Sequence, residues 1–200
     1  MALNAQGYFN CLKSYLNTVH YGQPQARSNE VVLKEKVFGQ SGRKPIEYKV
    51  SLQTTGETLV IKLDTKKNGS SLPLFHFLED SAKPWSKRCD FVVFSLRKNK
   101  LHAYCFEFKS ESIPHDVPDQ IKASVDWIKA LHSTINAYTA KRSTIHVTKY
   151  VLSNHPDPTP YLDEDGKYLQ RDHTIRHYRY ADLNDMALAD LENSNIEVIR

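Results

Sequence analysis

Cysteine and glycine are both scarce in this 200-residue chain, and what is missing excludes several classes of protein. Its three cysteines, Cys11, Cys89 and Cys105, show no paired spacing, so no disulfide framework is expected and a reducing, cytoplasmic setting follows. Two of them fall in apolar runs, where cysteine behaves as a small hydrophobe. The seven glycines form neither a Gly-rich phosphate loop nor a Gly-x-Ser-x-Gly turn. Nucleotide-driven activity is therefore not expected here, and any ATPase or sensor would be a separate partner protein. No apolar run approaches the roughly 20 residues of a membrane span, and the N-terminal segment lacks a continuous apolar signal core; no membrane partner is expected. Repeats and low-complexity tracts are absent too. Nine histidines invite a zinc reading, but His173 and His177 lie in a β-like run without nearby cysteine or acid ligands, so zinc is not expected.

What is present is a modest positive charge, +4 with a pI near 8.8, which permits nucleic acid as a partner without requiring it. The basic residues cluster. Lys83, Lys87 and Arg88 precede Asp90; Arg97, Lys98 and Lys100 form a turn; Arg171, Arg176 and Arg179 mark a later strand. In the last group arginines alternate with tyrosines (Arg176 to Tyr180). That pattern fits either a groove lined with charge and stacking rings or the polar outer face of an edge strand.

The most informative stretch is residues 89–109, CDFVVFSLRKNKLHAYCFEFK. It reads as two apolar strands joined by a polar turn at 97–100. An acid followed two residues later by lysine occurs four times, at Glu47/Lys49, Asp64/Lys66, Glu107/Lys109 and Asp165/Lys167. The last sits in a loop with a glycine, and Asp64 looks like a strand exit. Glu47 and Lys49 belong to the polar side of a half-solvated strand. Only Glu107 and Lys109 end a strand that is apolar on both faces. Burying charge there is costly unless a metal, an opposite charge or water compensates. The antiparallel turn brings Asp90, at the start of one strand, near Glu107 at the end of the other. Two such carboxylates suit a hard divalent cation, Mg²⁺ or Mn²⁺.

Asp90, sixteen intervening residues and then Glu107-x-Lys109 resemble the PD-(D/E)xK nuclease superfamily, the restriction-endonuclease-like proteins. The resemblance covers about 90–152. It implies that Asp90 and Glu107 hold the metal together with the backbone carbonyl of Phe108, and that Lys109 is the catalytic lysine. Cys89 stands where the name-giving proline would be. Members commonly add an acid from the first helix; the expected first helix, 3–20, has none, leaving Glu30 or Glu35 if a short helix runs there. Gln120 and Lys122, in the first turn of the next helix, fall where several branches place a helper to the site. Gln120 reads equally well as a solvated first-turn residue.

The coarse map supports one domain, with a helix and connection over 1–29, a core over 30–152 and a C-terminal extension over 153–200. A hairpin is expected at 46–64 turning at 55–56, then the motif hairpin, a helix over 118–138 and a strand over 144–152. A strand at 173–180, a short helix near 182–191 and a last strand at 195–199 follow. The expected fold class is α/β (α+β): a restriction-endonuclease-like core in αβββαβ order, with a central mixed sheet flanked by helices. The expected function is hydrolysis of nucleic acid, DNA above all, in restriction, defence against foreign DNA, or repair. Lys87, Arg88, Lys122, Arg176 and Arg179 are the candidate nucleic-acid contacts, and paired cuts would call for a homodimer. The alternatives are a catalytically silent nuclease-fold module that binds nucleic acid or a protein partner, and an ordinary salt bridge between Glu107 and Lys109.

Overall fold

A computed structural model describes residues 4–21, 29–37, 46–67, 70–75, 78–81, 83–110 and 112–200. In chain order its elements begin with α1 (Ala5–Tyr15), the single turn α2 (Thr18–Tyr21), β1 (Glu30–Val37), β2 (Ile46–Gln53) and β3 (Glu57–Lys62). The short pair β4 (Lys66–Lys67) and β5 (Ser70–Ser71) precedes β6 (Phe91–Arg97), β7 (Lys100–Lys109), α3 (Val117–Tyr138) and β8 (Ile145–Ser153). The chain closes with β9 (Tyr168–Leu169), β10 (Asp172–Arg179) and β11 (Glu197–Ile199). Leu3, the expected helix start, and most of the connection to β1 lie outside the described residues.

The central sheet is mixed, in the order β3-β6-β7-β8-β10-β9, with β11 added to β8. Strands β3, β6 and β7 are antiparallel neighbours. Helix α3 then carries the chain over, so that β8 lies parallel to β7, and β10 lies parallel to β8. The β6–β7 turn is tight because Lys98 and Asn99 both adopt positive φ, the twist a two-residue hairpin loop needs. Lys109, Ser153 and Arg179 are in register across the carboxyl ends of the three parallel strands.

Strand alternation divides the interior into two cores. On one face Val92, Phe94, Ala103, Cys105, Val147 and Val151 meet α1 and α3. The α3 stripe of Ile121, Val125, Ile128 and Ile135 turns inward at helical spacing. Tyr8 of α1 is tied to α3 by a 2.7 Å hydrogen bond to His132 Nδ1. On the other face Phe91, Val93, Tyr104, Phe106 and Tyr150 pack against the β1–β2 ladder and the residues after β10. A sheet covered on both sides explains why β6 and β7 are apolar throughout.

Four expectations change. The helix expected over 3–20 stops at Tyr15, and α2 is a separate turn. The segment 46–64 is not a hairpin: β2 pairs with β1, while β3 pairs with β6 in the other sheet. The chain switches layers at Gly56, where a Cβ would come within 2.4 Å of the Leu96 carbonyl oxygen, a close approach that glycine allows. The short helix weighed for Glu30 and Glu35 is strand β1, so neither acid is carried on a helix. The short helix near 182–191 is instead two 3₁₀ turns, Tyr180–Leu183 and Leu188–Asp190.

Candidate functional site

The carboxyl end of β7 and the residues leading into β6 meet beside the first turn of α3. Leu101, Ala103 and Cys105 face the helices, and Glu107 and Lys109 continue that face to the rim of the sheet. Asp90 is fixed from three sides. Its Oδ2 accepts the Phe108 N–H at 2.7 Å, its carbonyl accepts the Leu63 N–H at 2.9 Å, and the N–H of Cys89 donates to Ser124 Oγ of α3 at 2.7 Å. Ser124 Oγ in turn donates to the Gln120 carbonyl at 3.0 Å. The carbonyl bond to Leu63 also places Asp64, the next residue, at the same cavity.

That cavity, of about 320 Å³, brings together Asp90, Glu107, Phe108, Lys109 and Gln120. Glu35, Lys36, Asp64, Ser86, Lys87 and Arg88 complete its wall. Glu107 is 3% exposed; Oε1 is ion-paired with Lys109, while Oε2 is buried with no hydrogen-bond partner among the described residues. The Oε1 of Gln120 is likewise buried and unpartnered. Leaving such atoms unsatisfied costs about 1–3 kcal/mol each, so the pocket carries acceptors that a cation or a donor could satisfy.

The electrostatics agree. Burial pushes the Glu107 carboxyl up to about 8, with the Lys109 ammonium pulling against it. Burial first, then the negative charges of Glu107 and Glu35, hold the Asp90 carboxyl well above the usual carboxylate range. The Phe108 N–H and Lys109 oppose that rise. Burial draws the Lys109 ammonium down, but the charge and hydrogen bond of Glu107 outweigh it and keep the ammonium above its ordinary value.

Among the described residues, no three histidine, cysteine, aspartate or glutamate side chains converge as a metal-ligand group. Two carboxylates with a carbonyl and water would still suit Mg²⁺, which keeps several waters and seldom uses an all-protein cage. The orphaned Glu107 oxygen and the raised acids fit such a cation.

The candidate nucleic-acid residues separate into groups. Lys87 lines the cavity and is half-exposed, 3.0 Å from Asp119. Arg88 stands in the wall, but its guanidinium is committed to Asp80 and to the carbonyls of Leu72 and Ser86, so it anchors the preceding segment. Lys122 is exposed and paired with Asp126 at 2.8 Å. Arg176 lies outside the cavity, its guanidinium 5.2 Å and 5.3 Å from the Tyr168 and Tyr178 rings. With Arg179 it lines a separate depression of about 380 Å³. Arg179 nevertheless ends at the same sheet edge, two strands from Lys109 and so roughly 10 Å across.

The structure adds Asp64 and Tyr180, which the sequence did not single out for the site, and delivers Glu35 on a strand rather than a helix. Asp64 follows the end of β3 by two residues, and its place at a strand exit is visible in the pattern alone. Glu35 reaches the cavity from β1, where it accepts a 2.6 Å hydrogen bond from Lys62. Tyr180 donates its hydroxyl to the Lys109 carbonyl at 2.8 Å and packs its ring between Tyr48 and Phe108. Comparison with protein-family models, with curated proteins and with solved structures returns no match.

Proposed function

We propose that the cavity between β6, β7 and α3 is the active centre of a Mg²⁺- or Mn²⁺-dependent nuclease of PD-(D/E)xK type. Its substrate is nucleic acid, DNA above all, in restriction, defence against foreign DNA, or repair. The observation that carries this reading is the unpartnered, buried Glu107 oxygen beside a second acid and a lysine at an open rim. The element order supports it as well: a helix, three antiparallel strands, a crossover helix and a parallel strand.

Asp90 and Glu107 would hold the cation, with the Phe108 carbonyl beside them. When bound, the cation supplies an acidified water and screens the charge of the phosphodiester. The protein's own residues do the rest. Lys109 is protonated at neutral pH in this arrangement, so it donates hydrogen bonds to the phosphate or the attacking water and offsets charge developing on the phosphorus oxygens. The Ser124 and Phe108 contacts hold Asp90 against the end of β7, which spares the site reorganisation during reaction. Gln120 offers a side-chain amide to orient water or substrate.

A second reading, a silent module that binds without cutting, draws on the Lys109 contact already closed on Glu107 and the Asp90 oxygen already engaged by Phe108. One assay separates them. The purified chain is incubated with plasmid, linear and single-stranded substrates and either cation. Cleavage that disappears in Lys109→Ala supports the nuclease; binding by gel shift without cleavage in any cation supports the silent module.

A further inference from the structure

A second and larger depression, of about 760 Å³, adjoins the cavity and shares Ser86 and Lys87 with it. Its floor is apolar, formed by Phe75, Pro84 and Trp85 with Ala123 of α3. Trp85 is half-buried, and its indole N–H donates to the Glu79 carbonyl at 2.8 Å, so the ring is fixed in place. Lys83, Lys87 and Lys122 stand along the rim. Each has an acid close by: Glu79 at 3.9 Å, Asp119 at 3.0 Å and Asp126 at 2.8 Å. All three pairs are solvent-exposed, and such pairs hold weakly. Asp119 and Asp126 line the groove as well, so three lysines face two carboxylates, and a chain of phosphates competes for cations that are only weakly held.

We infer that this groove binds a short single strand of nucleic acid running to or from the adjoining cavity; the inference rests on the function proposed for that cavity. A flat apolar ring beside a row of cations is what an unpaired base and its backbone need, since the base stacks while the phosphates meet the lysines. A duplex keeps its bases stacked on one another and offers only their edges, so Trp85 has nothing to receive from it. An acidic peptide would satisfy the lysines and leave the aromatic floor uncovered. Continuity through Ser86 and Lys87 places the strand's backbone at the mouth of the Asp90–Glu107 cavity.

The chain has two tryptophans, and Trp127 is buried in the helix-side core, so fluorescence reports separately on Trp85. Intact protein in EDTA is titrated with a short oligothymidylate, with a duplex of equal length, and with polyglutamate as the peptide probe. Oligothymidylate is expected to quench the emission, and Trp127→Phe to keep the quench. Trp85→Leu should abolish the quench and weaken binding about tenfold, whereas Trp85→Phe restores most of the affinity. Lys83→Glu, a change at an exposed position, should weaken binding and flatten its salt dependence by about 0.7 in log–log slope. Unchanged affinity in folded Trp85→Leu and in Lys83→Glu overturns the inference; so does equal or tighter binding of duplex or polyglutamate. Cleavage in Mg²⁺ without any dependence on Trp85 removes the groove and leaves the proposed nuclease standing. Trp85-dependent binding with no cleavage removes the nuclease and leaves the groove.

Discussion

Strands β2 and β7 carry the same three-residue pattern in opposite circumstances. Glu47 and Lys49 of β2 are both exposed, and their ladder partners across β1 are Lys36 and Lys34. Glu107 and Lys109 have the same spacing on one side of a strand, but a sheet, a crossover helix and the Asp90 turn close around them. In water such a pair contributes less than about 1 kcal/mol. With water removed, the Glu107 carboxyl rises to about 8 and keeps one oxygen without a partner among the described residues. The residue pattern is common to both places; desolvation makes one of them a candidate site.

The sharpest way to test that contrast is to treat both strands alike. Glu107→Gln and Lys109→Ala should each lower cleavage about 1000-fold, while Glu47→Gln and Lys49→Ala stay within about twofold, measured as initial rates on plasmid with Mg²⁺. Next in size is the contrast between neighbouring cations. Arg88→Met should destabilise the fold by about 3 kcal/mol, because the half-buried Asp80 and two carbonyls lose the guanidinium they share; Lys87→Ala should leave chemical denaturation unchanged within about 0.5 kcal/mol.

The raised acids predict a pH dependence of definite sign. A carboxyl whose folded pKa exceeds its unfolded value binds more protons when folded, so its stabilising effect is lost as pH rises from the unfolded value toward about 8. Urea denaturation should show stability falling between pH 5 and pH 9, with a shallower slope in Glu107→Gln. Bound as proposed, Mg²⁺ or Mn²⁺ would displace those protons, so its stabilising effect should grow with pH and vanish in Asp90→Asn. Smallest of all, Tyr180→Phe removes one hydrogen bond to the Lys109 carbonyl and should cost about 1 kcal/mol of stability, with a several-fold slower rate.

Much of this arrangement was legible along the chain, and the boundary is physical. The β6–β7 hairpin and α3 follow from local pattern: two apolar runs around a two-residue turn, then a helical stripe from Ile121 to Ile135. Asp90, Glu107, Lys109 and Gln120 share one cavity because a hairpin brings strand start to strand end and the crossover helix begins beside it. The partners of β2 and β3 were not legible. Adjacent strands read as a hairpin by default, and only the packing of Gly56 against the Leu96 carbonyl shows the chain changing layers. Glu35 was weighed only for a helix, whereas a strand from the other layer delivers it. Arg88 looked like one more basic residue, since nothing in its neighbourhood announced that Asp80 and two carbonyls would claim it. Tyr180 lies 71 residues from the carbonyl it contacts, a separation at which no local rule operates.

That last contact bears on how short this chain can be made. A truncation at Leu152 would keep the Asp90–Lys109 stretch and its crossover helix, and so would look like a minimal nuclease. It would also strip β10 from the flank of β8 and leave the main chain at Lys109 without its phenolic clamp. The residues after 152 belong to the scaffold that holds the Lys109 main chain, and trimming them would loosen the candidate site from behind.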